Sequence, residues 1–182
     1  MKLALIRRQY SSTGGAELYV QRLLGALAGA GHEVHLFAEK WHGQAEGVQF
    51  HTVSAQGTRA DRALRFAETV HGMLHPLRFD CVFSLERTVR QDVYRAGDGL
   101  HRVWLERRGQ FAPFWKRPFV GVGAFHRNML ALEAQAFDPA CTRHVIVKSE
   151  MVREEVARHF PAFPQERVHL VRNGVEVRRF QH

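Results

Sequence analysis

The sequence has 182 residues, 45% hydrophobic and 24% charged, with a formal net charge of +8 at pH 7, which suits one globular domain with a sizeable core. No apolar run approaches the roughly 20 residues that a membrane span needs. The opening MKLALIRRQY reaches arginine after four apolar residues, too few for a signal peptide, so a cytoplasmic protein is predicted.

The first 37 residues predict a strand, a helix and a second strand. Leu3–Ile6 is a short apolar run typical of a buried strand, and Glu33–Phe37 is another. Gly29 and Gly31 end the helix between them, since glycine adopts the left-handed C-cap conformation at little cost. Such a unit requires parallel strands and a right-handed crossover, which places a helix N-terminus at the carboxyl edge of the sheet. The helical apolar positions are Val20, Leu23, Leu24 and Leu27.

The rest of the chain continues this alternation. Helical patterns lie at about 59–75, 104–108, 125–137 and 149–160, and 109–123 is predicted to be a loop. Five or six strands alternating with helices predict an α/β fold with a Rossmann-like, doubly wound, mostly parallel sheet. The further strands are Val48–Val53, Phe79–Phe83, His144–Val147 and Val168–Val171, with Val93–Ala96 a short strand or turn.

The two cysteines, Cys81 and Cys141, adjoin apolar runs and are predicted to be buried free thiols. Neither belongs to a CxxC pair or lies beside a close pair of histidines. No metal site is therefore predicted.

The glycine turn at Gly14 and Gly15 opens the first helix. Backbone N–H groups there suit a phosphate or carboxylate, although two glycines also serve simply to make a tight turn. The sequence contains neither GxGxxG nor GxxxxGK[ST], so a dinucleotide-binding protein and a P-loop protein are not expected.

Three carboxylates, Glu86, Asp92 and Asp98, follow the fourth predicted strand. Carboxylates there can accept hydrogen bonds from sugar hydroxyls or stabilise a developing positive charge. They can equally be solvated loop residues paired with neighbouring arginines. His101, close to Asp98, is either a hydrogen-bond donor to a ligand or a structural residue. The neighbouring arginines are Arg87, Arg90 and Arg95.

The segment 101–117, HRVWLERRGQFAPFWKR, interleaves aromatic and basic residues. Residues 102–127 contain six basic side chains against one acidic one, a net +5 of the total +8. This pattern suits an anionic membrane surface, or a loop whose aromatics cover the core while its arginines face water. Binding of single-stranded nucleic acid is a third interpretation, but no helix-turn-helix pattern is present, and no nucleic-acid partner is predicted.

Together these motifs resemble the N-terminal half of a retaining, two-domain (GT-B) glycosyltransferase of family 4. The branch that they resemble adds a sugar to the inner core of lipopolysaccharide. The resemblance covers essentially all of the chain. Its four segments are the opening strand–GGAE–helix–GHEV–strand with Trp41 after it, FSLERT followed by DVYRAGDG, VIVKSEMVREEV, and VHLVRNGVEVRRF.

The resemblance implies an acceptor-binding domain over residues 1–175, with 176–182 beginning a linker to an absent donor-binding domain. The substrates would be a nucleotide sugar, UDP-linked, and a saccharide acceptor that is lipid-linked or part of the lipopolysaccharide core. No metal or other cofactor is implied. Without the second half, most of the stabilisation of the leaving diphosphate is missing, so the chain alone is expected to be inactive.

The resemblance also assigns roles to residues. Gly14 and Gly15 would approach the donor phosphate or sugar. Asp98 and Glu86 would be catalytic, and His101 and Arg95 would contact the acceptor. A peripheral position on the inner face of the inner membrane is implied. The membrane-contact residues would be Trp104, Arg107, Arg108, Phe114, Trp115, Lys116 and Arg117.

A second hypothesis from the residues is a stand-alone Rossmann-like module. Such a module would bind an anionic membrane surface or a partner and perform no chemistry. The net charge of +8 and the basic, aromatic segment support it.

Overall fold

The computed structural model describes residues 1–9, 15–41, 46–172 and 174, which form seven strands and five α-helices. The longest helix has 15 residues, and none within the described ranges is long and apolar enough to cross a bilayer. The elements are β1 (Lys2–Ile6), α1 (Gly15–Gly29), β2 (Glu33–Ala38), β3 (Val48–Thr52), α2 (Arg62–Leu74), β4 (Cys81–Ser84), β5 (Gln91–Arg95), α3 (His101–Phe111), α4 (Ala124–Ala136), β6 (Thr142–Val147), α5 (Glu150–His159) and β7 (Val168–Leu170). Short 3-10 turns lie at His75–Leu77, Arg117–Phe119 and Gln165–Arg167.

All seven strands form one sheet, in the order β3-β2-β1-β4-β5-β6-β7, and every pairing is parallel. From β1 the chain adds β2 and β3 on one side and then returns to add β4 to β7 on the other. The order of strands therefore reverses between β1 and β4. Open α/β sheets bind ligands at such a point, outside the carboxyl ends of the strands.

Helices on opposite faces of β1 and β2 explain why those strands are mostly apolar. Leu5 and Leu36 pack with Leu24 of α1 on one face. Ile6 packs with Phe66 of α2 on the other. Burial on both faces is the usual condition of a strand within a parallel sheet.

A third cluster covers β5, β6 and β7. Tyr94 and Val145 of the sheet pack with Val103 of α3 and Val156 of α5, and Phe163 fills the space between α5 and β7. This cluster anchors α3, the helix that begins beside the carboxyl end of β5.

The predicted doubly wound α/β fold is confirmed, but the predicted number of five or six strands is wrong. The segment predicted as a short strand or turn is the full strand β5, with Val93 in register with Phe83 on one side and His144 on the other. A strand paired on both sides gains a complete backbone ladder, which outweighs its polar ends. Helix α3 also extends to Phe111, into the segment predicted as a loop.

Both cysteines are free, as predicted, but they are half-buried rather than buried. Gly14 and the predicted linker at 176–182 lie outside the described residues, as do Asn173 and Val175 of the predicted turn at 172–175.

Candidate functional site

The carboxyl ends of β1 and β4 bring a carboxylate and basic groups together at the point where the strand order reverses. Arg7 follows β1, and its Nη1 lies 3.3 Å from Oε1 of Glu86, which follows β4. The backbone N–H of Arg8 donates to the same oxygen at 3.2 Å. The Ser84 hydroxyl fixes this turn, since it donates to the Glu86 carbonyl at 2.7 Å and accepts from the Glu86 N–H at 3.2 Å.

The environment of Glu86 shifts the pKa of its carboxyl upwards. Burial raises the pKa of the Glu86 carboxyl, and the charge of Asp98 acts in the same direction. Arg7 and the Arg8 N–H oppose this change without cancelling it. A carboxyl with a raised pKa at a sheet edge is a usual feature of a functional site.

Asp98 is exposed in the turn of residues 97–99, directly after β5. Arg87 holds this turn, because its Nη2 donates to the Gly99 carbonyl at 2.7 Å. Gly99 has a φ of 71°, in the left-handed region that favours glycine. A Cβ at position 97 would lie 3.0 Å from Nη1 of Arg95, so Gly97 leaves room for the Arg95 guanidinium.

A buried ion pair lies beneath the turn. Glu133 of α4 is fully buried, and its Oε1 lies 3.4 Å from Nη2 of Arg87. The two Glu133 oxygens also accept the first N–H groups of α3, from His101 and, at 3.1 Å, from Arg102. Glu133 therefore caps α3 from another helix and neutralises Arg87 at the same time.

His101, the first residue of α3, is held in the neutral state. Its Nε2 lies 3.0 Å from Nδ1 of His126, and its ring stacks on Trp104 with centroids 5.5 Å apart. Burial lowers the pKa of His101 to about 4, and the charges of Arg87 and His126 act in the same direction. At neutral pH the ring is therefore an uncharged hydrogen-bonding group.

The low pKa of His101 predicts a loss of stability in acid. Its ordinary pKa is 6.5 and its folded pKa about 4, so the unfolded chain takes up the proton first as the pH falls. The contribution of His101 is thus complete above pH 6.5 and is lost towards pH 4, by roughly 1–2 kcal/mol for a partly exposed ring. Urea unfolding at pH 7 and pH 4.5 is expected to show a smaller acid loss for His101→Phe than for the unmodified protein. The exposed His71→Phe serves as control, and equal acid losses in all three proteins would contradict the assignment.

Arg95, at the end of β5, lies with its guanidinium 4.0 Å from the centre of the Tyr19 ring. It therefore joins β5 to α1, the helix that begins at Gly15. The sequence predicts correctly that four residues lie at or after the carboxyl ends of strands: Glu86, Arg95, Asp98 and His101. Their roles toward a ligand remain predictions.

The alternative that these carboxylates pair with neighbouring arginines is wrong for Glu86 and Asp92. Glu86 pairs with Arg7, which is distant in sequence. Asp92 lies at the opposite edge of the sheet, where Oδ2 accepts the Val82 N–H at 2.9 Å and Oδ1 lies 3.5 Å from Arg143. Asp92 is thus separated from Asp98 by the length of β5.

Sequence reasoning missed three residues of this site: Arg7, His126 and Glu133. Only Glu133 has a usable signal, because it lies on the apolar face of α4 beside Leu132 and Ala136. A carboxylate at such a position predicts a buried cationic partner.

The basic, aromatic segment lies on the surface, and we call residues 108–122 the aromatic face. Phe114 is 76% and Trp115 59% exposed. Two arginines of the segment have partners within the protein. Arg107 forms an ion pair with Glu155 at 2.6 Å, and Arg117 Nε donates to the Ala112 carbonyl at 3.1 Å. A groove of about 590 Å³ is lined by Arg108, Phe111, Ala112, Pro113, Lys116, Phe119, Val120, Gly121, Val122 and His126.

The doubly wound parallel sheet, with polar groups where its strand order reverses, has the architecture of one half of a GT-B glycosyltransferase. The family model of Glycosyltransferase Family 4 matches residues 13–179. The chain belongs to this family, which confirms the resemblance drawn from its motifs.

Two solved structures share the fold. WaaG, described as a glycosyltransferase involved in lipopolysaccharide biosynthesis, superposes with a TM-score of 0.80 at 20% sequence identity. The match covers 96% of this chain and 45% of the WaaG chain. Sucrose-phosphate synthase from Thermosynechococcus elongatus superposes with a TM-score of 0.64 at 17% sequence identity. The match covers 97% of this chain and 49% of the synthase chain. The chain thus spans less than half the length of either. No curated protein matches the sequence.

Proposed function

We propose that this chain is the acceptor-binding half of a retaining glycosyltransferase that uses a nucleotide sugar, UDP-linked. The acceptor is a saccharide of the lipopolysaccharide core or one carried on a lipid. Transfer requires a donor-binding half, so the chain alone is inactive. We propose no metal or other cofactor in the reaction.

The observation that carries this proposal is the group at the carboxyl edge of the sheet. Glu86 has a raised pKa, Asp98 is exposed, and neutral His101 begins the adjacent helix. Carboxylates bind sugar hydroxyls and stabilise the positive charge that develops on a sugar ring during transfer. Gly15, at the N-terminus of α1, would face the donor phosphate, where backbone N–H groups favour an anion. Gly14 is proposed in the same role.

Calorimetric titration of the chain tests this division of labour. Lipid-free core oligosaccharides are expected to bind, and UDP-glucose is expected to bind weakly or not at all. Tight binding of the nucleotide sugar by this chain would contradict the proposal. Binding of anionic vesicles without any binding of saccharide would favour the alternative, a membrane- or partner-binding module without catalysis.

We further propose that the aromatic face contacts an anionic membrane surface, which would place the protein on the inner face of the inner membrane. Contiguous exposed apolar residues often mark a membrane or partner contact. Aromatic rings suit the headgroup region, and neighbouring cations attract anionic lipids. Arg108, Lys116 and Arg117 are exposed cations of this face, and Arg117 also holds its backbone. Arg107 lies at its border.

Vesicle co-sedimentation is expected to separate the contribution of charge to membrane binding from that of apolar burial. Lys116→Ala should lower binding to vesicles with anionic lipids about fivefold, as one surface cation contributes about 1 kcal/mol. Phe114→Ala should lower it about tenfold or more through lost apolar burial. Lys148→Ala, an exposed lysine outside the aromatic face, is the control and should have no effect. Equal binding by all three variants would refute membrane contact by this face.

A further inference from the structure

Four rings from two helices form a continuous aromatic surface beside the Asp98 turn. His101 stacks on Trp104 and on His126, with centroids 5.5 and 5.2 Å apart and interplanar angles of 17° and 22°. Phe125 packs edge-on against His126 at 5.1 Å. The first residues of α3 and α4 therefore meet here, and Glu133 fixes the start of α3.

This surface is open to a ligand. Trp104 is 47% and Phe125 39% exposed, although both belong to a packed ring cluster. The cluster begins at His101, three residues after Asp98. An exposed aromatic ring close in the chain to a carboxylate matches the chemistry of a sugar, which has C–H bonds on the face of its ring and hydroxyls on its rim. The negative face of an aromatic ring attracts such C–H groups.

We propose that Trp104, together with His101, His126 and Phe125, forms a stacking platform for one pyranose ring of the acceptor saccharide. The inference rests on the proposed function and specifies part of the acceptor site. It assigns Trp104, expected from sequence at the membrane, to the saccharide instead.

The histidine pair provides polar contacts suited to a hydroxyl group. The 3.0 Å contact between Nε2 of His101 and Nδ1 of His126 requires one ring to donate and the other to accept. When both rings are neutral, whichever ring donates, the two outer nitrogens present one N–H donor and one lone pair. A sugar hydroxyl both donates and accepts, so it can bind to either outer nitrogen in either arrangement. The low pKa of His101, about 4, keeps the His101 ring uncharged at neutral pH.

The platform borders the aromatic face, since His126 also lines the groove of that face. Trp104 precedes Phe111 by seven residues of α3, or about 10 Å along the helix. Arg108 lies over the Trp104 ring at 5.1 Å, on an exposed side chain that is able to move aside. A saccharide on the platform would therefore lie next to the membrane-binding residues without replacing them.

Trp104 and Trp115 form a matched pair of probes for the test. In the ¹⁵N-labelled chain, titration with a lipid-free core oligosaccharide is expected to shift the indole N–H resonance of Trp104 and leave that of Trp115 unchanged. Calorimetry should give an affinity about tenfold lower for Trp104→Ala and within about threefold of the unmodified chain for Trp104→Phe, which keeps an aromatic face. Trp115→Ala should bind the saccharide normally.

The outcomes distinguish failure of the platform from failure of the proposed function. If the unmodified chain binds no oligosaccharide, the proposed acceptor-binding function fails, and the platform fails with it. If the chain binds but Trp104→Ala binds equally well, only the platform is wrong. If Trp104→Ala loses vesicle binding while keeping its affinity for saccharide, Trp104 belongs to the membrane contact and the platform is refuted.

Discussion

Glu133→Ala is expected to lower the free energy of unfolding by about 3–5 kcal/mol, because it leaves a largely buried arginine without its counter-charge. Glu133 is fully buried and lies 3.4 Å from Nη2 of Arg87. The substitution also removes the acceptor for the first N–H groups of α3, from His101 and Arg102. Uncapped N–H groups add to the loss. Urea denaturation followed by circular dichroism measures the change.

Three further variants separate the two roles of Glu133, which are to neutralise the charge of Arg87 and to accept the first N–H groups of α3. Glu133→Gln keeps an acceptor oxygen for α3 and should lose less stability than the alanine variant. Glu154→Ala, an exposed glutamate of α5, is the control and should change stability by less than about 0.5 kcal/mol. The double variant with Arg87→Ala should lose less than the sum of the single losses, because no unpaired charge remains buried. A loss for Glu133→Ala no larger than that of the control would contradict the assigned role.

This buried pair links the interior to the candidate site. Arg87 contacts Glu133 on one side and the Gly99 carbonyl on the other, and Asp98 lies in the turn that this second contact holds. The carboxylate of Glu133 likewise determines where His101 begins α3. A structural charge therefore sets the position of two proposed ligand-binding residues, although it touches no ligand itself.

Much of the fold could be predicted because local patterns determine it. The apolar runs of β1 and β2, the helix between them and its glycine stop leave a parallel unit as the only arrangement. The sequence predicts only a short strand or turn at β5, because Gln91, Asp92 and Arg95 interrupt its apolar pattern. Its strand character comes from two neighbours, β4 and β6, one of which follows about 50 residues later.

The candidate site was predictable in its location but not in its contacts. Glu86, Asp98 and His101 follow strand ends, and parallel strands bring such ends to one edge. Their partners come from elsewhere in the chain: Arg7 precedes Glu86 by 79 residues, and Glu133 follows Arg87 by 46. No spacing rule connects such residues. Pairing of β1 with β4 brings Arg7 to Glu86, and packing of α4 in the fold brings Glu133 to Arg87. The pKa of His101 likewise depends on burial, which a single sequence does not show.

Asp98→Asn is expected to reduce sugar transfer about a hundredfold or more, in a transferase assembled from this chain and a donor-binding half. Asp98 is exposed in a turn held by Arg87 at the carboxyl edge of the sheet. We expect its negative charge to stabilise the positive charge that develops on the sugar ring, and to orient the acceptor hydroxyl. Asparagine keeps the shape and one acceptor oxygen but removes the charge. Initial rates at varied acceptor concentration measure the effect.

The division of that loss between kcat and KM identifies what the carboxylate does. Stabilisation of charge in the transition state predicts a fall in kcat with KM for the acceptor little changed. A rise in KM with kcat preserved would limit Asp98 to acceptor binding and refute its catalytic role. Asp138→Asn, an exposed aspartate at the opposite edge of the sheet, is the matched control and should leave both constants unchanged. Because Asp98 is exposed, its replacement should also leave the unfolding midpoint unchanged, so the lost rate reports on chemistry and not on folding.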